Sequence, residues 1–180
     1  MGSPKALVQL GGQALVRRAS DRLKAVFQEL LIVTRPQMEM PDLGIPVAYD
    51  LLPGNGPLGG IYTALKASQR PVFCFACDMP FLDSRLIQAM VDDFNNLDVL
   101  LPEIDRKLHP LHAIYSPNCT GYIKAALGKG ERRITGFLPQ VRAAYFTEDR
   151  YGDADAIRLA LFNVNTQADL LWAEKIAKYL

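Results

Sequence analysis

Pro71-Val72-Phe73-Cys74-Phe75-Ala76-Cys77-Asp78-Met79-Pro80-Phe81-Leu82 is the stretch from which the rest of the chain is read. Val72 to Cys77 form an unbroken apolar run with no polar alternation, the pattern of a strand buried on both faces in a parallel sheet. The run stops at one carboxylate, Asp78, followed by a proline turn and a helix-like segment from Asp83. Ligands of open α/β sheets collect outside the carboxyl ends of the strands. An aspartate there can hold a metal ion carried by a nucleotide. The same residue type also caps helices and closes turns, so this stretch alone weighs the two readings equally.

The composition sets the bounds. A chain of 180 residues, 49% hydrophobic and 22% charged, reads as one globular domain spanning 1–180 with a substantial core. A formal net charge of +1 gives no electrostatic footprint for nucleic acid or an anionic membrane. No apolar run approaches the ~18 residues of a membrane span, and no secretory pattern opens the chain, so a cytoplasmic location is expected. Cys74 and Cys77 have C-x-x-C spacing, and His109 and His112 could complete a Cys₂His₂ set. A three-residue step along a strand, however, sends the two thiols to opposite faces, and buried structural thiols are the expectation.

Taken in order, Ala6 to Leu10 is a short apolar patch ended by Gly11-Gly12. Leu15, Val16, Ala19, Leu23, Val26 and Phe27 recur at helical spacing and predict an amphipathic helix over 13–27. Strands are expected at 29–34 and 44–49, the second ending at Asp50. Leu51 to Gly60 follows, a loop with four glycines, more than a plain turn needs; the reading favours close backbone approach to a ligand. After Asp78 come a helix over 84–94, a strand over 98–102 and an antiparallel strand over 111–115. A helix follows Ser116-Pro117-Asn118, and Val141 to Thr147 reads as a strand. A closing helix over 167–180 turns Leu170, Leu171, Ile176 and Leu180 inward. Phe162 to Thr166 puts Asn163 and Asn165 on one side of an extended segment, where they contact a ligand or merely finish a strand and cap the helix. The βα alternation predicts a Rossmann-like three-layer α/β fold, mostly parallel with one antiparallel strand.

Lys5, Asp50, the glycine loop and Asp78 are parts for nucleoside triphosphate chemistry, although neither a Walker lysine nor a G-x-G-x-x-G fingerprint is present. M-G-x-x-K-A-L, D-x-x-P-G-x-G-P-L-G-G-I, C-D-M-P-F-L, G-E-R-R and F-x-N-V-N-T-x-x-D-L occur in that order along nearly the whole chain. This set resembles the molybdenum cofactor guanylyltransferase (MobA) family of nucleotidyltransferases. The resemblance implies transfer of GMP from GTP to the phosphate of molybdopterin, with Mg²⁺ as cofactor. It makes Lys5 the phosphate-contacting lysine, Asp50 a nucleotide-binding residue beside Gly56 and Gly59, and Asp78 the metal ligand. It associates Arg132, Arg133, Asn163 and Asn165 with the pterin. It also implies transient contact with proteins that insert the cofactor or chaperone molybdoenzymes, and leaves an oligomer open.

Two departures from the family pattern stand out. The family's strand and glycine-rich loop ahead of the lysine are not in this sequence, so a gap is expected between the strands at 30–33 and 72–76. Arg35 also stands near the place of a family asparagine that touches the nucleotide. A related transferase using CTP or a sugar phosphate, or a non-catalytic binding or assembly subunit, remains as the alternative.

Overall fold

The computed structural model describes residues 5–179; Met1 to Pro4 of the M-G-x-x-K motif and Leu180 lie outside them. A 3-10 turn at Lys5–Leu7 leads into a hairpin of β1 (Gln9–Leu10) and β2 (Gln13–Ala14). Gly11 and Gly12 hold positive φ (59° and 78°) at its tip, which a two-residue hairpin turn demands. α1 (Leu15–Leu23) buries Leu15, Val16, Ala19 and Leu23 along the expected stripe. Val26 and Phe27, expected in the same helix, pack instead from the turn beyond it.

β3 (Ile32–Thr34) and β4 (Val47–Tyr49) pair in parallel, both shorter than expected. α2 (Gly56–Ser68) follows the glycine loop and leads to β5 (Val72–Phe75), the centre of the quoted stretch. α3 (Ser84–Asp93) begins on Asp83, whose carboxylate accepts from Arg85 N at 2.8 Å. β6 (Val99–Ile104) runs past Pro102 and turns through Asp105 and Arg106, both at positive φ, into β7 (Lys107–Leu108). β8 (His112–Tyr115) and α4 (Cys119–Gly128) come next, then a 3-10 segment at Ile134–Gln140 and β9 (Ala143–Phe146). α5 (Glu148–Tyr151), α6 (Ala154–Ala160) and α7 (Gln167–Ile176) close the order.

β5, β8, β6 and β7 lie side by side in one sheet, with β9 also on β6. β8 is antiparallel to β5 and to β6, whereas β9 is parallel to β6. β5, β6 and β9 therefore run the same way; β8 is reversed, as the sequence predicts, and so is the short β7, which the sequence reading took for a turn. Alternation along β6 divides the core. Val99 and Leu101 face Ile61, Leu65, Ile123 and Phe137 on the α2–α4 side. Leu100 and Ile104 face Leu86, Met90 and Ile157 on the α3–α6 side. The result is a three-layer α/β sandwich.

Two expectations need correction. β5 is not buried on both faces between parallel neighbours: its four residues are half-buried, and its ladder among the described residues is the antiparallel one with β8. An apolar run reports what a strand can bury, not how many neighbours it has. β3 and β4 form a sheet of their own, and no described strand is hydrogen-bonded between β3 and β5. Leu171, expected inward, is 53% exposed, because the buried stripe of α7 runs through Leu170 and Ala173. α2 packs against β3, β4 and β5 and so bridges the two sheets, while the Phe27 ring, from the turn after α1, stacks on Phe73 of β5 at 5.8 Å. Among the described residues, no helix is long and apolar enough to cross a membrane.

Candidate active site

The turn after β5 is held from three directions. Met79 N donates to Ala76 O, Arg18 Nε donates to Pro80 O at 3.1 Å, and Val164 N donates to Asp78 O at 2.8 Å. Asp78 is thereby fixed at the carboxyl end of the strand with its carboxylate buried. Its Oδ2 accepts from Lys5 Nζ at 2.8 Å, and the same ammonium donates to Asn165 Oδ1 at 2.6 Å. Asp78 Oδ1 is also buried, yet has no hydrogen-bond partner among the described residues. A buried carboxylate oxygen without a donor is costly, and a cation at that point relieves it.

Asn165 reaches this group because the chain around it is pinned. Thr166 and Asp169 form a capping box at the start of α7, and Asp169 Oδ2 accepts from both Thr166 N (2.8 Å) and Asn165 N (3.0 Å). The cap reading of N-V-N-T thus holds for Thr166, and the Asn165 side chain is left for Lys5. Asn163 turns back on its own backbone, its Nδ2 donating to Leu161 O at 2.9 Å. The paired amides of the sequence reading are therefore one amide at the site and one outside it.

A second group gathers at the carboxyl ends of β3 and β4. Thr34, Arg35, Met38, Asp50, Gly54, Gly56 and Gly60 line a cavity of about 540 Å³, within the range of small-ligand sites. The Asp50 carboxylate is positioned through Oδ1, which accepts from Leu52 N at 3.0 Å and lies 3.1 Å from Thr63 Oγ1. Thr63 is buried in α2 and also accepts from Leu51 N at 3.0 Å, so it sets the geometry of the loop; the sequence reading passed over it. The glycines divide their work. Gly54 and Gly56 sit at positive φ on the cavity wall. Gly59 is demanded by packing, since a Cβ there would lie 3.0 Å from Leu52 O and 3.3 Å from Asp50 Oδ1. Asn55, the residue before α2, makes no side-chain cap; its Nδ2 donates to Leu52 O instead. The first N–H groups of α2 are thus without a side-chain acceptor, a setting that suits an anion.

Other expected site residues lie apart. Arg132 and Arg133 are exposed ahead of the Ile134–Gln140 segment, where Arg133 pairs with Glu131 at 3.6 Å. Neither is hydrogen-bonded to the Lys5 group. Burial pushes the thiols of Cys74 to about 12 and of Cys77 and Cys119 to about 11, so all three are held as unreactive thiols. Among the described residues no three His, Cys, Asp or Glu side chains group as a metal cage. A Mg²⁺ held by one carboxylate together with substrate phosphates needs no such cage, and the orphaned Oδ1 of Asp78 fits it.

Residues 1–143 match the family model described as a MobA-like NTP transferase domain. A probable molybdenum cofactor guanylyltransferase of Pelotomaculum thermopropionicum is 37% identical over 99% of this chain and 87% of its own length. The molybdenum cofactor guanylyltransferase of Desulfosudis oleivorans is 30% identical over 98% of this chain and 89% of its own. Among solved structures, molybdopterin-guanine dinucleotide biosynthesis protein A of Archaeoglobus fulgidus superposes with a TM-score of 0.86 at 26% identity, covering 99% of this chain and 93% of that one. The 2-C-methyl-D-erythritol 4-phosphate cytidylyltransferase of Thermus thermophilus shares the fold with a TM-score of 0.74 at 18% identity, over 97% of this chain and 94% of that one. With the glycine loop at one strand end and a lysine-paired aspartate at another, the chain belongs to the MobA-like NTP transferase family.

Proposed function

We propose that this protein transfers GMP from GTP to the terminal phosphate of molybdopterin and releases pyrophosphate. A phosphate oxygen of the pterin attacks the α-phosphorus, the bond from that phosphorus to the bridging oxygen breaks, and the electron pair leaves on pyrophosphate. The attacking phosphate is already anionic at neutral pH, so no general base is required. Catalysis then consists of alignment and charge neutralisation.

The observation that carries this reading is the meeting of Lys5, Asp78 and Asn165 at the end of β5, in a chain whose relatives bear the guanylyltransferase name. Asp78 would hold Mg²⁺, and that ion would supply charge neutralisation at the phosphates. Lys5 faces the charge that moves onto pyrophosphate. The cavity at β3 and β4 takes the nucleoside, with Asp50 fixed in its wall by Thr63 and the backbone of Gly54 and Gly56 open to close approach. Arg35 lines the same cavity and offers its guanidinium to the base, where arginine pairs with guanine O6 and N7. Such an enzyme works in the cytoplasm and hands its product to proteins that insert the cofactor.

Incubation with molybdopterin, Mg²⁺ and either GTP, CTP or a sugar phosphate with GTP tests the assignment. Pyrophosphate release and formation of the guanine dinucleotide are the readouts. Turnover is expected with GTP and molybdopterin and is lost in Asp78→Asn. Preference for CTP, or for a sugar phosphate as acceptor, moves the protein to another class of nucleotidyltransferase.

A further inference from the structure

The last helix carries an aromatic side chain that the site described so far leaves unused. Trp172, the chain's single tryptophan, sits on α7 and is 42% exposed. Its indole lies 4.4 Å from the Phe162 ring and meets Phe81 edge-on at 6.1 Å, and the two phenyl rings are 6.2 Å apart. Phe81 is buried in a cluster with Leu10, Leu15 and Val164, so the trio is footed in the core while the indole stays open to solvent.

Each ring is mounted on a segment that also builds the Lys5 group. Phe81 follows Pro80 in the turn that Arg18 and Val164 hold around Asp78. Phe162 precedes Asn163 and Val164, the residue whose N–H donates to Asp78 O at 2.8 Å. Trp172 lies one helical turn beyond Asp169, about 4.5 Å of rise, and the Asp169 carboxylate accepts from Asn165 N at 3.0 Å. We propose that Trp172, braced by Phe162, is the platform on which the planar pterin ring of the acceptor stacks. The proposal rests on the guanylyltransferase reading above and adds to it where the acceptor's ring lies.

Three considerations lead to this occupant. The cavity beside Asp50 is lined by β3, by the segments that follow β3 and β4, and by the start of α2, with no contribution from α7 or the Phe162 segment. The second substrate therefore has the α7 side of the Lys5–Asp78 pair left to it, the side on which Asn165 meets Lys5 at 2.6 Å. A flat, nitrogen-rich heterocycle stacks on an aromatic face as a nucleic-acid base does. An indole already fixed against two phenyl rings loses little side-chain freedom when such a ring arrives. A platform of this kind selects a flat aromatic acceptor over a sugar phosphate, which has no π-face to offer.

Because the chain has one tryptophan, its indole fluorescence belongs to Trp172. Acrylamide should quench the indole in the free protein. Molybdopterin should shield it and lower the quenching constant, whereas inorganic phosphate should not. Trp172→Ala should raise the KM for molybdopterin by roughly five- to a hundredfold, the factor that one stacked base is worth, while the KM for GTP holds; Trp172→Phe should recover most of the loss. Circular dichroism melts establish that each variant is folded, and the shielding measurement uses the parent protein and needs no variant. An unchanged quenching constant at molybdopterin concentrations that saturate the enzyme overturns the proposal, as does an unchanged KM for molybdopterin in folded Trp172→Ala. So does shielding that grows with protein concentration alone, which would make the indole an interface between copies of this chain. Turnover without shielding removes only the platform, whereas shielding by molybdopterin without turnover keeps the platform and removes the guanylyltransferase reading.

Discussion

His112 offers a prediction whose size can be worked out. The ring is fully buried on β8, neither nitrogen has a hydrogen-bond partner among the described residues, and Phe73 meets it edge-on at 4.9 Å. Burial, reinforced by His109 and opposed by Asp83, pushes its pKa down to about 3. An unfolded histidine titrates near about 6.5. Below that pH the unfolded chain takes up a proton that the fold refuses, so stability falls as pH falls, by up to ~1.4 kcal/mol per unit. The loss levels off once the folded ring titrates, near pH 3. His112→Leu removes two unpartnered nitrogens, a gain of about 1–3 kcal/mol, set against a repacking cost under about 1.5 kcal/mol. At neutral pH the variant should therefore be as stable as the parent or more so. At pH 4.5 its advantage should have grown by roughly 2–3 kcal/mol, two units below the unfolded pKa. Urea denaturation of both proteins from pH 8 to pH 4 gives the difference, and carboxylates common to both cancel. An advantage that does not change with pH would show that the imidazole has a partner or keeps its proton, and the reasoning would fail.

Other outcomes follow from the site and its supports. Gly59→Ala gains about 1 kcal/mol of helix propensity but drives a Cβ to 3.0 Å from Leu52 O. With overpacking costs of about 1–3 kcal/mol, it should melt lower than the parent and raise the KM for GTP, whereas exposed Gly121→Ala, with nothing within 4 Å of its Cβ, should melt higher. Equal melting shifts would refute the packing role of Gly59. Thr63→Val keeps the shape of α2 but removes the hydroxyl 3.1 Å from Asp50 Oδ1, and should raise the KM for GTP more than it lowers kcat; an unchanged KM would separate Asp50 from nucleotide binding. Asp98 accepts from Asn118 Nδ2 at 2.9 Å and from Arg142, which hold its carboxyl well below the usual range. Asp98→Ala should cost about 2–3 kcal/mol at pH 7. That deficit should shrink as pH falls below about 4, where the parent's carboxylate begins to lose its depressed-pKa advantage; a deficit constant from pH 7 to pH 3 would contradict this.

What the sequence revealed, and what it hid, follows from the range of each signal. Asp78 was legible because an apolar run stops at it, and Asp50 because it ends a short strand before a glycine-rich loop. Those signals are local. The 3-10 segment at Ile134–Gln140 and the helices α5 and α6 were not read. α6 has only seven residues, too few for a periodic stripe, although Asp153 accepting from Ala156 N at 2.9 Å is an N-cap of a kind the sequence does carry. Thr63 was hidden because its partner lies 13 residues back across a loop. Nothing in the sequence tells a hydroxyl turned toward a carboxylate from one turned to solvent. The different fates of Asn163 and Asn165 depend on Lys5, 160 residues from Asn165, which no spacing rule reaches.

The placement of these groups bears on how the reaction is aligned. The cavity lined by Asp50 and the glycine loop sits on the β3–β4 sheet, whereas Lys5, Asp78 and Asn165 sit at the end of β5, and among the described residues no backbone ladder joins the two. Their relative position is set by side chains, chiefly those of α2, which packs against β3, β4 and β5. Leu58, Ile61 and Leu65 bury one flank of that helix in the main core, while Thr63 fixes the Asp50 loop and Gly59 admits it at contact distance. α2 therefore carries three duties: it presents its first N–H groups at the cavity, anchors the Asp50 loop, and sets the distance from that loop to Asp78. In-line attack tolerates displacements well under 1 Å. Under the proposed reaction, a helix that spans both groups matters to alignment as much as the charged groups it holds in register.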